Sequence, residues 1–348
     1  MRDLSTYPMD PELLAIYDQE PFFCWLLEIL QKSQNSTSEN FQAKIVALEQ
    51  WEYFKQSLLP KVNETGHVTD VVYWAYLRKL LIQVAALQEK TLDLGLNTSD
   101  SFHSYAELYD EIIGFPCLHE FMTGYIKFVV EKYKLDFSKA SFLSIGCGTG
   151  IVEQHILRNY PIKKDQLLGI DISASMVIEA NHRIPAKEMD FLALRAEDQQ
   201  WDITYNGLNV LQYLPFRRLE EAIAKIGELT AKGGLFFGDF ITSDHVRWYP
   251  HVMQAENVIS LRQPVLVEKE NYMFQQSEII NISKLDGTLR FTDEGKYLRY
   301  LPSMWKVRQL FERYFPAGVD FYDALSLECL PPDCESCPST RYLVVARK

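Results

Sequence analysis

The sequence predicts an α/β fold with a mostly parallel, Rossmann-like sheet of seven strands. Five strand-like segments alternate with amphipathic segments between residues 140 and 242, which is typical of a parallel sheet with helices on both faces. The first of these strands ends in a glycine-rich turn. Residues 1–135 follow a helical period and predict an N-terminal lid, whereas residues 243–301 predict an antiparallel insertion after the fifth strand. The core domain is therefore expected at 136–348.

Composition excludes several function classes. The chain has 348 residues, of which 47% are hydrophobic and 24% charged, as in ordinary globular proteins. Its net charge of −12 and its lack of basic runs argue against nucleic-acid binding. The N-terminus lacks the pattern of a signal peptide, and the most apolar segment, 71–87, carries too many polar residues to span a bilayer. A cytoplasmic protein is expected.

The N-terminal lid is predicted to contain several helices. Pro11–Lys32 repeats apolar residues at helical spacing, and Phe41–Leu59 forms a second helix that ends at Pro60. A third helix is expected within His67–Leu96. Shorter helices are expected at Tyr105–Ile113 and Cys117–Tyr133.

The glycine turn follows the first strand of the core, Phe142–Ile145, and precedes a helix that starts at Ile151. Gly146, Gly148 and Gly150 lack a Cβ, so a ligand can approach their backbone closely and they can adopt positive φ angles. This G-x-G-x-G spacing differs from the G-x-G-x-x-G pattern of dinucleotide sites. The turn therefore predicts a site at which a ligand lies close to the backbone.

The second strand, Gln166–Ile172, contains Asp171 near its end. An acidic residue about 20 positions after such glycines can accept hydrogen bonds from both hydroxyls of a ribose. Taken alone, an aspartate after a strand is more often a helix cap. Its place in the series of strand ends favours the ligand role.

Three further strands complete the predicted series. The third, Phe191–Arg195, ends in Ala196, Glu197 and Asp198, and the fourth, Asp202–Tyr205, leads into 206–215. The fifth, Leu235–Ile241, follows two glycines.

These segments, in this order, resemble the motifs of class I methyltransferases that use S-adenosylmethionine. The resemblance implies that Asp198 binds the adenine amino group and that 206–215 lines the methionine side of the cofactor. The cofactor contacts implied by the resemblance are Gly146, Cys147, Gly148, Gly150, Asp171, Ile172, Met176, Ala196, Glu197, Asp198, Asn209 and Tyr109.

His245 is the candidate general base. It follows the fifth strand, and active sites of open α/β sheets form outside the carboxyl ends of the strands. A hydroxyl acceptor must lose a weakly acidic proton, and neutral imidazole is the usual base near pH 7. The alternative is a structural loop histidine, and His251 is the second choice for the base.

Glu278 is the candidate acidic partner of the histidine. It lies in the middle of a predicted strand among apolar residues, where a carboxylate is unfavourable unless it is paired. An outward-facing acid is the alternative, and Glu256 and Asp244 also remain open as partners. Substrate contacts are assigned to Arg247, Tyr249 and Tyr272, with a solvated arginine as the alternative for Arg247.

The insertion is predicted to form antiparallel strands at Val265–Glu268, Tyr272–Ile282 and Thr288–Tyr300, with a tight turn at Asp286–Gly287. A helix at Pro302–Tyr314 and strands at Val319–Ala324 and Tyr342–Ala346 complete the core.

Three parts of the sequence together resemble the O-methyltransferase domains of bacterial modular polyketide synthases. They are Gly238–Pro250, the helical lid and the Tyr272–Ile282 strand. This resemblance covers most of residues 100–348. It implies a bacterial, metal-independent enzyme that methylates the β-hydroxyl of an acyl chain carried by an acyl carrier protein. It places the base at His245 and its acid at Glu278. The 19 tyrosines and 20 phenylalanines suit a pocket for an apolar chain, and Arg217 and Arg218 are expected to attract the acidic carrier.

Two other functions stay open at this stage. One is a free-standing natural-product methyltransferase that acts on nitrogen or a carboxylate and needs no base. The other is a non-catalytic domain that binds S-adenosylmethionine within a megaenzyme. A zinc site at Cys334 and Cys337 is disfavoured because no fourth ligand lies nearby in the sequence.

Overall fold

The computed structural model describes residues 20–22, 24, 26, 48–92, 100, 102, 106–285, 289–293, 298–334 and 336–348. They divide into two compact units. The N-terminal unit contains Met1–Asn97, Tyr249–Gln263 and Ser277–Asp293. The Rossmann-like unit contains Thr98–Trp248, Pro264–Gln276 and Glu294–Lys348.

A seven-stranded sheet forms the centre of the Rossmann-like unit. Its order is β11-β12-β5-β4-β1-β2-β3, in which only the pairs of β12 with β5 and with β11 are antiparallel. The predicted fold class is confirmed. The strands are β1 (Phe142–Ile145), β2 (Leu167–Asp171), β3 (Ala186–Glu188), β4 (Trp201–Asn206), β5 (Thr230–Ile241), β11 (Gly318–Asp323) and β12 (Arg341–Arg347).

Helices cover both faces of this sheet. Because side chains alternate along a strand, Phe236 and Phe237 of β5 enter opposite apolar clusters. Phe236 lies in the cluster with Ile223 and Phe311, and Phe237 lies in the cluster with Ile126. The helices of this unit after β1 are α6 (Ile151–Asn159), α7 (Ala174–Asn181), α8 (Leu219–Leu229), α9 (Ser243–Trp248) and α10 (Met304–Tyr314).

A helical stretch precedes β1 and departs from the α-helix at two places. Two five-residue π-helical segments, Asp110–Gly114 and Leu118–Met122, interrupt it. Such π segments occur often at functional sites. The α-helical parts are α3 (Ala106–Tyr109), α4 (Phe115–Cys117) and α5 (Thr123–Tyr133). The two short helices that the sequence predicted here are therefore parts of one continuous run.

The N-terminal unit has its own apolar core. Its described helices are α1 (Leu48–Ser57) and α2 (Val71–Leu92). Leu77 and Leu81 of α2 share a buried cluster with Leu261 and Ile280 of the insertion. The predicted helix at Pro11–Lys32 lies largely outside the described residues.

The insertion forms an antiparallel sheet, as predicted. The order of its strands is β10-β8-β7-β6, and β9 also pairs with β8. The predicted turn at Asp286–Gly287 lies outside the described residues. The strands are β6 (Val252–Gln254), β7 (Val258–Lys269), β8 (Tyr272–Ser283), β9 (Leu289–Asp293) and β10 (Arg299–Tyr300).

Two details differ from the sequence-based expectation. The third strand is Ala186–Glu188, and Phe191–Ala193 is a 3₁₀ turn that the Asp190 side chain caps by accepting from Leu192 N at 3.0 Å. The division into units also places Ala106–Tyr133 with the sheet rather than with the N-terminal helices. No described helix combines the length and the apolarity that crossing a membrane requires.

A buried ion pair joins the neighbouring strands β5 and β12 near the carboxyl end of β5. Asp239 of β5 is fully buried and pairs with Arg341 of β12, whose side chain is 7% exposed. The Arg341 guanidinium also lies over the Phe121 ring, 4.6 Å from its centroid. Removing one partner of such a pair leaves an uncompensated buried charge, which is strongly destabilising.

We expect Arg341→Met to lower the free energy of unfolding by about 3–5 kcal/mol, because Asp239 then lacks its cation. Urea denaturation of the purified variant measures the change. Arg347→Met on the same strand is the matched control, since its pair with Asp320 is exposed. The control is expected to lose less than about 1 kcal/mol. Equal losses in the two variants would contradict the assignment.

Candidate active site

A cavity of about 830 Å³ opens at the carboxyl ends of β1, β2 and β4. The glycine turn after β1 and the end of β2 line it, as do the residues that follow β4. This is the edge of an open α/β sheet where ligands bind. The predicted site residues that line it are Gly146, Cys147, Gly148, Asp171, Ile172, Met176 and Tyr109.

The glycine turn owes its shape to positive φ angles. Gly146, Gly148 and Gly150 have φ values of 68°, 53° and 73°, which residues with a Cβ rarely adopt. A Cβ on Gly146 would collide with the Val210 side chain, whereas a Cβ on Gly148 would meet no atom within 4 Å. Since Gly148 lines the cavity, its bare Cα leaves space for a ligand to lie against the backbone.

The Asp110 carboxylate holds the second half of this turn. It accepts a hydrogen bond from the Thr149 hydroxyl and pairs with the Arg183 guanidinium at 2.5 Å. Arg183 also donates to the Thr149 carbonyl at 2.8 Å. Asp110 belongs to the first π-helical segment and Arg183 follows α7, so two other elements fix the turn.

Asp171 lies at the end of β2, as predicted, and is oriented by backbone donors. Its carboxylate accepts hydrogen bonds from Gly148 N at 2.8 Å and from Ser173 N at 2.9 Å. Burial raises the pKa of the Asp171 carboxyl, and these two donors oppose the rise. A carboxylate has about four acceptor positions, so positions remain for the two hydroxyls of a ribose.

Asp100 supports this corner of the cavity. It accepts hydrogen bonds from the Ser173 hydroxyl at 2.8 Å and from Ser175 N at 3.0 Å, at the first turn of α7. Desolvation raises the pKa of Asp100, but the hydrogen bonds from Ser175, Ser173 and Phe102 outweigh it and lower the pKa below its ordinary value. Asp100 therefore stays ionised beside the Asp171 loop.

Asp190 replaces Asp198 as the acidic residue after the third strand. Because that strand is Ala186–Glu188, the residues at its end are Met189 and Asp190, and both line the cavity. Asp198 is exposed and pairs with Arg195 at 3.3 Å. The predicted bounds of the third strand were therefore wrong. Ala196, Glu197 and Asp198 do not line the cavity, and the binding of adenine by Asp198 stays a prediction.

Aromatic side chains form another part of the cavity wall. Phe102 contacts Tyr109 and Tyr213 edge to face, with ring centroids 6.4 Å and 6.1 Å apart. Burial raises the pKa of Tyr109 well above its ordinary value, so its hydroxyl stays protonated. The Arg299 guanidinium lies 4.5 Å from the Tyr213 centroid.

The predicted proton-transfer pair has a different environment from the one expected. His245 lies half-buried in α9, and Glu278 belongs to the N-terminal unit, where it pairs with Arg78. Neither lines the cavity. His251 accepts a hydrogen bond from Val68 N at 3.1 Å, and burial, with the charges of His67 and Arg78, lowers its pKa to about 4.

The predicted substrate residues Arg247, Tyr249 and Tyr272 lie outside the cavity wall as well. The predicted methionine-side segment 206–215 does line the cavity, through Gly207, Leu208, Val210, Tyr213, Leu214 and Pro215, but Asn209 is not among the lining residues. Arg247 is 74% exposed and pairs with Asp244 at 3.5 Å. This environment agrees with the alternative interpretation, a solvated arginine. Tyr249 stacks with Arg262, and Tyr272 packs on the cavity residue Phe216 with centroids 4.4 Å apart. Asn209 is buried behind the cavity and begins a 3₁₀ turn.

The sequence analysis missed Glu153, a buried carboxyl that lines the cavity. Its place, three residues after the last glycine of the turn, was the only available signal. Among the described residues, no group of three or more His, Cys, Asp or Glu side chains is arranged to hold a metal ion. Cys334 donates to the Ser336 carbonyl, and Cys337 lies near Asp323.

A match to a known protein family covers most of the residues that form this site. Residues 142–234 match the model of a methyltransferase domain family, and this range runs from β1 into β5. No curated protein matches the sequence. The matched range includes the glycine turn, Asp171 and Asp190. Together with the cavity, it confirms S-adenosylmethionine as the cofactor.

Solved structures with similar folds include three bacterial proteins. An S-adenosylmethionine-dependent methyltransferase from Clostridium acetobutylicum shares 12% identity over 76% of this chain and 98% of its own, with a TM-score of 0.48. DesVI of Streptomyces venezuelae shares 16% identity over 61% and 85%, with a TM-score of 0.45. The sugar N-methyltransferase KedS8 of a Streptoalloteichus species shares 14% over 64% and 84%, with a TM-score of 0.43.

We expect Gly148→Ala to weaken binding of S-adenosylhomocysteine at least tenfold, because the new methyl group occupies the space against the backbone. Titration calorimetry measures the affinity. The matched control is Gly233→Ala, where φ is 80° and a Cβ also meets no atom within 4 Å, but away from the cavity. Both variants share a conformational cost of about 1–2 kcal/mol. Equal effects on binding would show that strain alone acts.

We expect Asp190→Asn to weaken S-adenosylhomocysteine about tenfold, since a hydrogen bond to a charged acceptor contributes about 1.5 kcal/mol. The amide oxygen retains the cap on Leu192. Asp198→Asn is the control and is expected to bind the ligand as the unsubstituted protein does. The reverse order of affinities in the same calorimetric titration would restore Asp198 as the adenine ligand.

Proposed function

We propose that this chain transfers the methyl group of S-adenosylmethionine to a hydroxyl oxygen, the β-hydroxyl of an acyl chain bound to an acyl carrier protein. The observation that carries the proposal is the cavity of about 830 Å³, in which the glycine turn and Asp171 occupy one part of the wall and aromatic residues another. Pockets of this size bury most of a small ligand. The apolar part suits an acyl chain.

The residues at hand fit the cofactor. Gly148 leaves open space over its Cα, Asp171 keeps acceptor positions for ribose hydroxyls, and Asp190 follows β3 at the cavity wall. When bound, S-adenosylmethionine supplies an electrophilic methyl group on a sulfonium. The protein must align the acceptor, exclude water and remove the proton of the hydroxyl.

His245 is the proposed proton acceptor. It lies in α9, directly after β5, at the carboxyl edge of the sheet. Bound S-adenosylmethionine would supply the methyl group to the acceptor oxygen, and its sulfur would keep the electron pair of the broken carbon–sulfur bond. The hydroxyl proton passes to the imidazole. Glu278 pairs with Arg78 and Asp244 pairs with Arg247, so the acid that would orient His245 stays open among Glu278, Asp244 and Glu256.

An acyl carrier protein is the proposed partner. Arg217 and Arg218 line the cavity, and Arg217 is 76% exposed. Their charges are partly matched by Glu270 and Glu221, at 3.1 Å and 2.8 Å. Attraction by this pair, on a chain with net charge −12, would act at short range and weaken with salt.

A second candidate function is methylation of a free natural product at nitrogen or at a carboxylate. One observation favours it: no histidine is among the described residues that line the cavity. A neutral amine or an ionised carboxylate needs no base. Its product would be a methylated free metabolite.

We expect His245→Gln to lower the turnover number at least about 100-fold, the usual contribution of general-base catalysis, with unchanged affinity for S-adenosylhomocysteine. Acyl carrier proteins with β-hydroxy, β-keto and unsubstituted chains serve as acceptors, and intact mass spectrometry counts added methyl groups. His182→Gln, at an exposed histidine beside α7, is the control.

Methylation of the β-hydroxy chain alone would support the proposal. Methylation of a free metabolite but of no carrier would favour the second candidate. Near-full activity of His245→Gln would overturn the base assignment. Cofactor binding without turnover on any acceptor would identify a non-catalytic domain.

A further inference from the structure

Glu153 is a buried acid inside the cofactor cavity. It lies in the first turn of α6, directly after the glycine turn, and its exposed fraction is 1%. It is also one of the residues that line the cavity. A carboxyl taken out of water in this way is unfavourable unless each of its oxygens finds a partner.

Only one of its two oxygens has a partner among the described residues. Oε1 accepts a hydrogen bond from the Ser144 hydroxyl of β1 at 2.6 Å, whereas Oε2 is fully buried without a hydrogen bond. An orphaned acceptor in a binding cavity indicates a donor that arrives with the ligand.

The titratable groups that face Glu153 supply no positive charge. They are Asp171 of β2, Cys147 of the glycine turn, Tyr205 of β4 and Tyr125 of α5. The hydroxyls of Tyr125 and Tyr205 contact each other at 3.0 Å. Within the described part of the chain, the cation that would balance an ionised Glu153 is therefore missing.

Glu153 is poised between its two protonation states at neutral pH. Burial raises the pKa of its carboxyl to about 7, although the Ser144 hydrogen bond and a backbone donor oppose the rise. About half of the empty protein thus carries a protonated Glu153 at pH 7.

S-adenosylmethionine brings two cations, a sulfonium and an α-ammonium, and only the ammonium has N–H donors. We propose that Oε2 of Glu153 accepts a hydrogen bond from the α-ammonium of the cofactor, and that Glu153 releases its proton when the cofactor binds. This inference rests on the cofactor of the proposed function and is independent of the methyl acceptor.

The sign of the pH dependence follows from this geometry. A nearby cation favours the carboxylate and lowers the pKa of Glu153 in the complex. Below pH 7 the ligand must first displace the proton, so the contribution of Glu153 weakens binding as the pH falls. This contribution changes the dissociation constant about tenfold between pH 8 and pH 6 and is flat above pH 8.

Titration calorimetry with S-adenosylhomocysteine tests the proposal without any methyl transfer. Runs at pH 7 in buffers of different ionisation enthalpy count the protons released on binding. The protein is expected to release about half a proton more than Glu153→Gln does. The difference also removes the titration of the ligand's own α-amino group. Glu131→Gln, the same change on an exposed site of α5, should behave as the unsubstituted protein.

A ligand without the amino acid provides a second control. 5′-Methylthioadenosine has no ammonium, so its binding should release no proton from Glu153. Ser144→Ala is a second variant that keeps Glu153 and removes only its hydrogen bond. Because that bond lowers the pKa of Glu153, its loss should move the proton release to higher pH.

Each outcome decides a different claim. Equal proton release by the protein and by Glu153→Gln would overturn the role of Glu153 while the cofactor assignment stands. Equal release with 5′-methylthioadenosine and S-adenosylhomocysteine would overturn the ammonium as its partner. No binding of S-adenosylhomocysteine would overturn the cofactor and this inference together.

Discussion

The ion pair between Asp110 and Arg183 is the constraint on which the site depends. The glycine turn has a shape that its own residues do not enforce, because glycine loses more conformational freedom on folding than any other residue. Asp110 and Arg183 supply that order through Thr149, one through its hydroxyl and the other through its carbonyl. With the turn fixed, the amide of Gly148 orients Asp171, and the cavity acquires a rigid floor.

Around this turn the protein buries several acids, and it balances them in different ways. Desolvation raises the pKa of Asp239, Asp171 and Glu153 alike. Asp239 has an internal cation, Arg341, and lies behind the cavity. Asp171 and Glu153 line the cavity itself, where Asp171 accepts hydrogen bonds from backbone amides and Glu153 accepts one from Ser144.

Much of the fold could be predicted because its strands and its glycine turn have strong local sequence patterns. The apolar strands β1, β2, β4 and β5 and the glycine turn are visible in the sequence, and Asp171 followed from its place after β2. The third strand was misplaced because Ala186–Glu188 is a short, polar edge strand, whereas the apolar run after Asp190 forms a capped 3₁₀ turn. Because the predicted strand lay a few residues too late in the sequence, the prediction named Asp198, whereas Asp190 is the acid that follows the strand in the structure.

The remaining features depend on contacts that spacing along the chain does not encode. Glu153 is buried through a hydrogen bond to a neighbouring strand, and the π-helical segment that carries Asp110 has no local signature in its residues. The partner of Glu278 is Arg78, 200 positions away in the sequence, so no local pattern could show that this acid was already paired.

The position of β12 has a consequence for how the molecule is made. β5 pairs with β12 from Leu235 to Ile241, in a register that aligns Ile241 with Arg341, about a hundred residues later. Until those residues have been synthesised, the hydrogen-bonding edge of β5 is uncovered, and a long apolar edge is prone to pair with other chains. In the sequence, the insertion and α10 lie between β5 and β12. Their length therefore sets how long the nascent sheet stays open, and the demand for chaperones should rise with it.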